Sequence, residues 1–449
     1  MTDMTEGKPA KLITRFAIPM LLGNILQQMY NIVDSIVVGN FIGKEALAAV
    51  GNSFVVIFLL VSLFAGAATG AVILISQFFG SKQNEKLKLA VDTIYIGMIF
   101  ASIIISLAGV AAARPFLRFM HTPAGDTMEM SATYLQTVFA GSVLMFGYNV
   151  NTAVLQGVGD SKSSLLFLAI ATAVNIALDL IFVTVFDMGV FGVALATVIA
   201  QGVAFAFGVW YINRKVKLFK LFSRNMKFSG KVLLQMFQIG LPAGIQNVLF
   251  SVGTIVLQRL VNSYGSAFMA GYGATNKVDA FVFMPIVSFA TAVSAFVGQN
   301  IGARRLDRVK QGVRSAVIIS VGIAVISSIL VMIFGRYLLM AFTQDADVLR
   351  TGTEFIKRLM PPYFLLAIIF MLNSAVRGAG QSVIPMIATL ISLLGARVPL
   401  AYLFDHLGGK YNIFWCYAAG WLVGVLIIVP YYLSGHWKKN AFRFLDERK

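Results

Sequence analysis

The sequence predicts an all-α polytopic membrane protein with twelve transmembrane helices in two pseudo-symmetric six-helix bundles. Three observations support this class: an apolar composition, twelve apolar runs and an internal repeat. Of the 449 residues, 58% are hydrophobic and only 12% are charged. A soluble protein carries charge at about a quarter of its positions, so lipid must solvate much of this surface.

Twelve apolar runs are long enough to cross a bilayer, which requires about 20 mostly apolar residues per helix. Several runs exceed that length, which indicates tilted or protruding helices. The runs cover residues 12–38, 46–78, 89–112, 128–156, 162–186, 189–211, 232–260, 267–299, 312–334, 350–376, 382–404 and 411–433.

The two halves of the chain repeat one another at an offset of about 222 residues. AIPM (17–20) corresponds to GLPA (240–243), so Pro19 aligns with Pro242. LQGVGDSKS (155–163) corresponds to VRGAGQSVI (376–384). The motif ISQFFGSKQNEK at the end of span two is echoed by VGQNIGARRLDR at the end of span eight.

Each repeat holds six runs, and an even number of spans returns the chain to the same side of the membrane. The halves therefore share one orientation and are related by an axis along the membrane normal. A central cavity between two such lobes is the expected place for a ligand. We predict an N-terminal lobe at 1–213, a cytoplasmic basic linker at 214–231, a C-terminal lobe at 232–436 and a cytoplasmic tail at 437–449.

The net charge of +17 is explained by membrane topology rather than by nucleic acid. With the N-terminus inside, 25 of the 36 basic residues lie in cytoplasmic segments, Arg377 among them. This bias follows the positive-inside rule and predicts that both termini lie in the cytoplasm. We expect the protein in the plasma (inner) membrane. The same residues would contact anionic lipids on that side, and we expect a monomer.

The sequence also lacks the usual signatures of an enzyme. The single cysteine, Cys416, excludes an intrachain disulfide and a cysteine-rich metal site. No HExxH, GxSxG or P-loop pattern is present. A membrane enzyme is therefore disfavoured, and no cofactor is expected.

Three acidic residues fall well inside the apolar runs: Asp34, Asp179 and Asp279. Counted from the nearer helix end at about 1.5 Å per residue, Asp34 in span one and Asp179 in span five lie at similar depth. Two carboxylates close together in lipid cannot both stay ionised, so one could carry a proton. Their oxygens would equally suit Na⁺.

Three further polar residues fall in the same layer by this count: Tyr134, Asn175 and Thr197. Asn175 lies one helical turn from Asp179 on the same face. A cation-coupling site is one interpretation of this layer. The alternative is that both acids only bond neighbouring helices.

Asp279 in span eight has no obvious partner in the sequence. Lys277 is only two residues away, and such residues do not face each other on a helix. Arg259 and Arg397, which also lie inside spans, are possible ion-pair partners. An ion pair that locks the lobe and a substrate contact are equally supported.

Several motifs together resemble the multidrug and toxic compound extrusion (MATE) family, in its DinF-like branch. They are YNIVDSIVVG after the proline of span one, LQGVGDSKS with its echo VRGAG, GVFGVALAT opening span six, and FVGQNIGARRLDR. The resemblance covers nearly the whole chain. It implies two six-helix bundles in a V shape and a cation-coupled efflux cycle.

The resemblance also implies a polar network for coupling in the N-terminal lobe, with Pro19 as the bend of the first helix. One position of that network, usually asparagine, is Thr152 here. The glutamate that the NorM-like branch uses in span seven has no counterpart in NVLFSVG (247–253). The matching network residues are Gln27, Asp34, Tyr134, Asn149, Asn175, Asp179 and Thr197.

The function predicted is a secondary active antiporter, coupled to H⁺ or Na⁺, that exports amphipathic and often cationic organic compounds by alternating access. The alternative is a flippase for lipid-linked precursors, whose pyrophosphate requires cationic residues in the cavity. The cations available inside spans are Arg259, Lys277 and Arg397.

Overall fold

A computed structural model describes residues 1–120, 122–123 and 125–446. The chain forms two compact units, one of Met1–Thr2 with Pro19–Gly240 and one of Asp3–Ile18 with the chain from Leu241 onward. Helices joined by short turns make up both repeats.

In the described part of the first repeat there are seven α-helices, two of which run on into a turn of π-helix. These turns cover Val38–Ile42 after α1 and Ile181–Val185 after α6. The helices are α1 (Pro9–Val37), α2 (Lys44–Gly80), α3 (Asn84–Phe119), α4 (Asp126–Ala140), α5 (Ser142–Gly157), α6 (Ser161–Leu180) and α7 (Gly189–Lys215).

The second repeat follows the same order, with a π-helical turn at Ile391–Arg397 and a short 3₁₀-helix at Asn412–Phe414. Its helices are α8 (Gly230–Asn262), α9 (Ser266–Gly302), α10 (Leu306–Met340), α11 (Ala346–Leu359), α12 (Tyr363–Gly378), α13 (Val383–Leu390), α14 (Val398–Gly408), α15 (Trp415–Ser434) and α16 (His436–Lys439).

The helices account for the twelve predicted spans. In the described ranges, eight helices are long and apolar enough to cross a membrane, or ten when each bent pair counts as one span. Helix α1, with 29 residues, and α2, with 37, occupy the two remaining predicted positions. The protein is a multi-pass membrane protein with two pseudo-symmetric bundles of six membrane-crossing segments.

The fourth span of each repeat is bent rather than straight. Helices α4 and α5 meet at 54°, and α11 and α12 meet at 56°. At the first junction, a Cβ on Gly141 would overlap Val198, so the close approach requires glycine. At the second, Pro361 and Pro362 supply no N–H to continue the helical ladder.

Helix α1 runs continuously through Pro19, the residue at which the family resemblance implies a bend. Helix α8 likewise runs through Pro242. Each proline leaves the carbonyl four residues earlier without its helical donor, and a long helix tolerates one such loss. The division between the compact units falls at Pro19 and directly before Leu241.

The compact units differ from the predicted lobes at two places, since residues 3–18 group with the second unit and residues 232–240 with the first. Within the second unit, Met4 N–H donates to Gln299 Oε1 at 2.9 Å. Within the first, the Met236 carbonyl occupies the place of a side chain at Gly70. Contacts between residues distant in sequence therefore place the boundaries of the compact units away from those of the predicted lobes.

The stretch predicted as a linker is packed onto the first unit. Lys227 N–H donates to Asp92 Oδ2 at 3.2 Å, and Leu221 N–H donates to Asn213 Oδ1 at 2.6 Å. The predicted tail also begins with a packed residue, because Trp437 is buried and stacks on Tyr432. Residues 447–449 of that tail lie outside the described residues.

Candidate functional site

Four helices of the first unit bring polar side chains together. The Tyr30 hydroxyl of α1 lies 3.1 Å from Thr197 Oγ1 of α7. Asn175 Nδ2 of α6 donates to the same oxygen at 3.4 Å. Thr197 thus connects α1 to α6, and Asp179 follows Asn175 by one helical turn.

Asp34 and Asp179 are direct neighbours at this point, and each contributes to the electrostatic environment of the other. Tyr134 of α4 lies next to both acids. Asp179 is completely buried and Asp34 is half-buried. The predicted layer of Asp34, Tyr134, Asn175, Asp179 and Thr197 is therefore one spatial cluster.

Three carboxyl oxygens of this cluster lack hydrogen-bond donors in the described part of the chain. Among the described residues, no group donates a hydrogen bond of good geometry to Asp34 Oδ1 or to either carboxyl oxygen of Asp179. When both carboxylates are ionised, no proton bridges them and they repel each other. Burying such unpaired charge costs free energy. A proton or a small cation between them would satisfy both groups.

An apolar cluster adjoins the site through Tyr134. It contains Val37 at the end of α1, Val38 in the π-helical turn that follows, Val183, Val190 and Tyr134. These side chains are buried against one another, and Tyr134 belongs both to this cluster and to the polar site. Electrostatic interactions strengthen where water is excluded.

Both acids lie beside π-helical turns. Asp34 precedes the turn Val38–Ile42 by four residues, and Asp179 precedes Ile181–Val185 by two. A π-helical turn inserts an extra residue and leaves part of the regular hydrogen-bond ladder unmade, and such turns are frequent at functional sites. These turns were not predicted from the sequence.

Three residues implied by the family resemblance are not joined to the cluster by a hydrogen bond in the described structure. Gln27 is exposed and donates to Asn31 Oδ1 at 3.5 Å. Asn149 is exposed and donates to the Met145 carbonyl of its own helix at 2.8 Å. Thr152 lies beside Tyr148 on α5.

Sequence reasoning missed Tyr30, which lies four residues before Asp34 on α1. Residues at this spacing share a helix face, so the pattern YNIVD contained the signal. Its hydroxyl is the group that connects α1 to Thr197.

The four charged residues predicted inside spans of the second repeat do not form one site. Lys277 lies over the Phe342 ring at 5.1 Å, and Arg259 is exposed near the end of α8. Asp279 lies next to Tyr363, with Arg397 in the same neighbourhood. No ion pair joins Asp279 to a cation in the described ranges. The guanidinium of Arg397 lies 3.5 Å from the Tyr417 ring centre.

Comparison with known protein families shows which family the chain belongs to. The profile of the MatE family matches residues 19–181 and 242–403, which are one segment from each repeat. The chain belongs to the MatE family. It is therefore a transporter and not an enzyme.

Curated relatives match this MatE protein end to end. It is 31% identical to the Probable multidrug resistance protein YpnP of Bacillus subtilis over 447 residues, which cover 99% of each chain. It is also 31% identical to the Probable multidrug resistance protein YoeA of the same organism, over 99% of this chain and 98% of that protein.

Solved structures agree with the fold. A structure described as the outward-facing conformation of a multidrug resistance MATE family transporter superimposes with a TM-score of 0.90. The match covers 97% of this chain and 98% of the other, at 24% sequence identity. At that identity the likeness concerns the fold alone.

Proposed function

We propose that this MatE protein is an antiporter of the DinF-like branch that exports amphipathic, often cationic organic compounds in exchange for H⁺ or Na⁺. The observation that supports it is the adjacent pair of half-buried Asp34 and buried Asp179, three of whose carboxyl oxygens lack hydrogen-bond donors among the described residues. Placing two carboxyls inside a membrane helix bundle costs free energy, and such acids typically mark ion pathways or proton relays.

Entry of the coupling ion would neutralise the pair and remove the repulsion between α1 and α6. Tyr30, Tyr134, Asn175 and Thr197 would provide the remaining oxygen ligands or hydrogen bonds. Helix α1 would then move about Pro19, where its hydrogen-bond ladder is interrupted. Uphill transport requires that ion and cargo stabilise different states of the protein.

The placement of the protein in its membrane follows the charge bias. We propose a monomer in the plasma membrane with both termini in the cytoplasm and its basic segments against anionic lipids. The name multidrug resistance protein, carried by both Bacillus relatives, supports organic compounds as cargo. A flippase for lipid-linked precursors is not favoured, because Arg259, Lys277 and Arg397 do not gather at one site.

The proposal is tested by dye efflux from proteoliposomes with pH and sodium gradients imposed separately. We expect one gradient to drive accumulation by the parent protein and Asp34→Asn to abolish that dependence, because an amide cannot hold the exchangeable proton or the cation charge. Asp187→Asn is the matched control, since Asp187 is an exposed acid of the same repeat.

Gradient-driven transport by Asp34→Asn at the parent rate would refute the assignment of the coupling site. Transport by the parent that responds to neither gradient would refute antiport itself. Membrane insertion of each variant is checked by its amount and monodispersity after purification.

A further inference from the structure

The second unit contains a half-buried arginine, Arg377, that has no acidic partner among the described residues. Arg377 lies near the end of α12. Its place in the sequence suggests an exposed cytoplasmic residue, but its side chain is half-buried. Its Nη2 donates to Gln246 Oε1 of α8 at 2.6 Å. Among the described residues, its Nε–H has no partner and no acid lies within ion-pair distance.

A second unpartnered polar group lies one turn away on the same face of α12. Asn373 is only 4% exposed, and its Oδ1 has no hydrogen-bond partner among the described residues. Residues four apart on a helix are neighbours on its surface. The assignment of oxygen and nitrogen in an amide can be exchanged, so Asn373 can present either a donor or an acceptor beside Arg377.

The guanidinium is held in place by a chain of hydrogen bonds across three helices. Gln246, which is 5% exposed, donates from Nε2 to Thr389 Oγ1 of α13 at 2.6 Å. Thr389 in turn donates to the Pro385 carbonyl at 2.9 Å. Gln246 therefore has its oxygen directed at Arg377, and the arginine cannot relax towards a distant acid without breaking this chain.

We propose that Arg377, with Asn373 and Gln246, binds one anionic group, a carboxylate or a phosphate. A guanidinium presents five N–H donors in a planar fork that matches both groups. A guanidinium that is withdrawn from water without a counter-charge is costly, and a bound anion supplies that counter-charge here. The site lies entirely in the second unit and does not depend on the proposed cation coupling.

The test is direct binding to the full-length protein in neutral detergent at constant ionic strength. The probes are inorganic phosphate, benzoate with benzyl alcohol as its neutral analogue, and phosphatidylglycerol with phosphatidylcholine as its zwitterionic control. Binding is followed as the ligand-dependent rise in Tm. We expect at least one anion to stabilise the parent and its neutral or zwitterionic counterpart not to.

We expect Arg377→Gln to weaken binding of that anion by about tenfold or more, since it removes the charge and the fork. Arg259→Gln is the matched control, because Arg259 is an exposed arginine of the same repeat. The Arg259→Gln variant should bind the anion with the affinity of the parent protein. Arg377→Lys keeps the charge without the fork and should bind with intermediate affinity, so it decides the matter if Arg377→Gln is unstable.

Stabilisation by inorganic phosphate or benzoate identifies a small anion or the acidic group of a cargo molecule, and stabilisation by phosphatidylglycerol alone identifies a lipid headgroup. The proposal is overturned if no anion stabilises the parent. It is also overturned if the Arg377 variants bind as the parent does, or if Arg259→Gln loses as much affinity as Arg377→Gln.

Discussion

The first helices of the two repeats, α1 and α8, share a proline at matching positions but carry opposite chemistry. Helix α1 carries Tyr30 and Asp34, which contact acidic and polar residues of α4, α6 and α7. Helix α8 carries Gln246, which bonds to an arginine of α12 and a threonine of α13. The backbone plan is repeated, and the charge of the polar site is not.

This difference shows that the duplicated scaffold and its sites are separable. Packing of long apolar helices determines where α1 and α8 run, and both positions tolerate a proline. The polar side chains on these helices are not determined by that packing, because a buried polar site requires only complementary hydrogen-bonding partners nearby. Function resides in sites placed on a fold rather than in the fold itself.

The largest expected contrast is between the acids of the two repeats. Asp179→Asn should abolish gradient-driven efflux, a loss of about tenfold or more, because Asp34 would then have no carboxyl partner to share an ion with. Asp279→Asn should keep the gradient dependence, since Asp279 faces Tyr363 and not a second acid. Proteoliposome efflux under imposed gradients measures both.

Equal loss in the two variants would remove the contrast and place coupling in both repeats. The amount of each variant incorporated into liposomes must match the parent for the rates to be compared.

A smaller contrast concerns the paired glycines Gly157 and Gly378. A Cβ on Gly378 would lie 2.6 Å from the Ser294 carbonyl oxygen, which is backbone and cannot rotate away. A Cβ on Gly157 would lie 2.5 Å from Ile75 Cγ2 and 2.8 Å from Ile75 Cβ, so this clash is with a side chain rather than with a backbone carbonyl. Gly378→Ala should therefore destabilise the protein by about 1–3 kcal/mol, and Gly157→Ala by less, as measured by Tm in detergent.

Gly322→Ala serves as the control for these variants. No atom lies within 4 Å of a Cβ at this position in α10, and alanine is favoured over glycine in a helix by about 0.5–1 kcal/mol. A Gly157→Ala protein less stable than Gly378→Ala would contradict the packing argument.

The smallest contrast is between two tyrosine hydroxyls. Tyr30→Phe removes the contact with Thr197 and should slow gradient-driven efflux several-fold, because a typical hydrogen bond contributes about 0.5–1.5 kcal/mol. Tyr272→Phe removes the 2.9 Å contact with the Tyr417 hydroxyl and should lower Tm without changing the efflux rate of the folded protein. If Tyr272→Phe slows efflux as much as Tyr30→Phe, the polar cluster of the first unit has no special role.

Much of the fold was predictable because lipid imposes simple rules on sequence. Apolar runs of sufficient length predicted the spans, and the repeated motifs around Gly157 and Gly378 predicted the pseudo-symmetry. Asp34 and Asp179 could be placed in one layer because helical rise converts sequence position into depth. Depth alone carries no information about the direction in which a side chain points around its helix axis.

The sequence by itself therefore determined the class, the twelve spans, the repeat and the depth of the acids, all of which depend on local apolar length and regular helical rise. Only the tertiary structure decided that Asp34 meets Asp179, that Tyr30 bonds to Thr197, and that Arg377 is held by Gln246. These contacts join helices far apart in the chain, and their partners are selected by how whole helices rotate and pack. The same reason explains why α1 passes through Pro19, because packing along a long helix outweighs the loss of one backbone hydrogen bond.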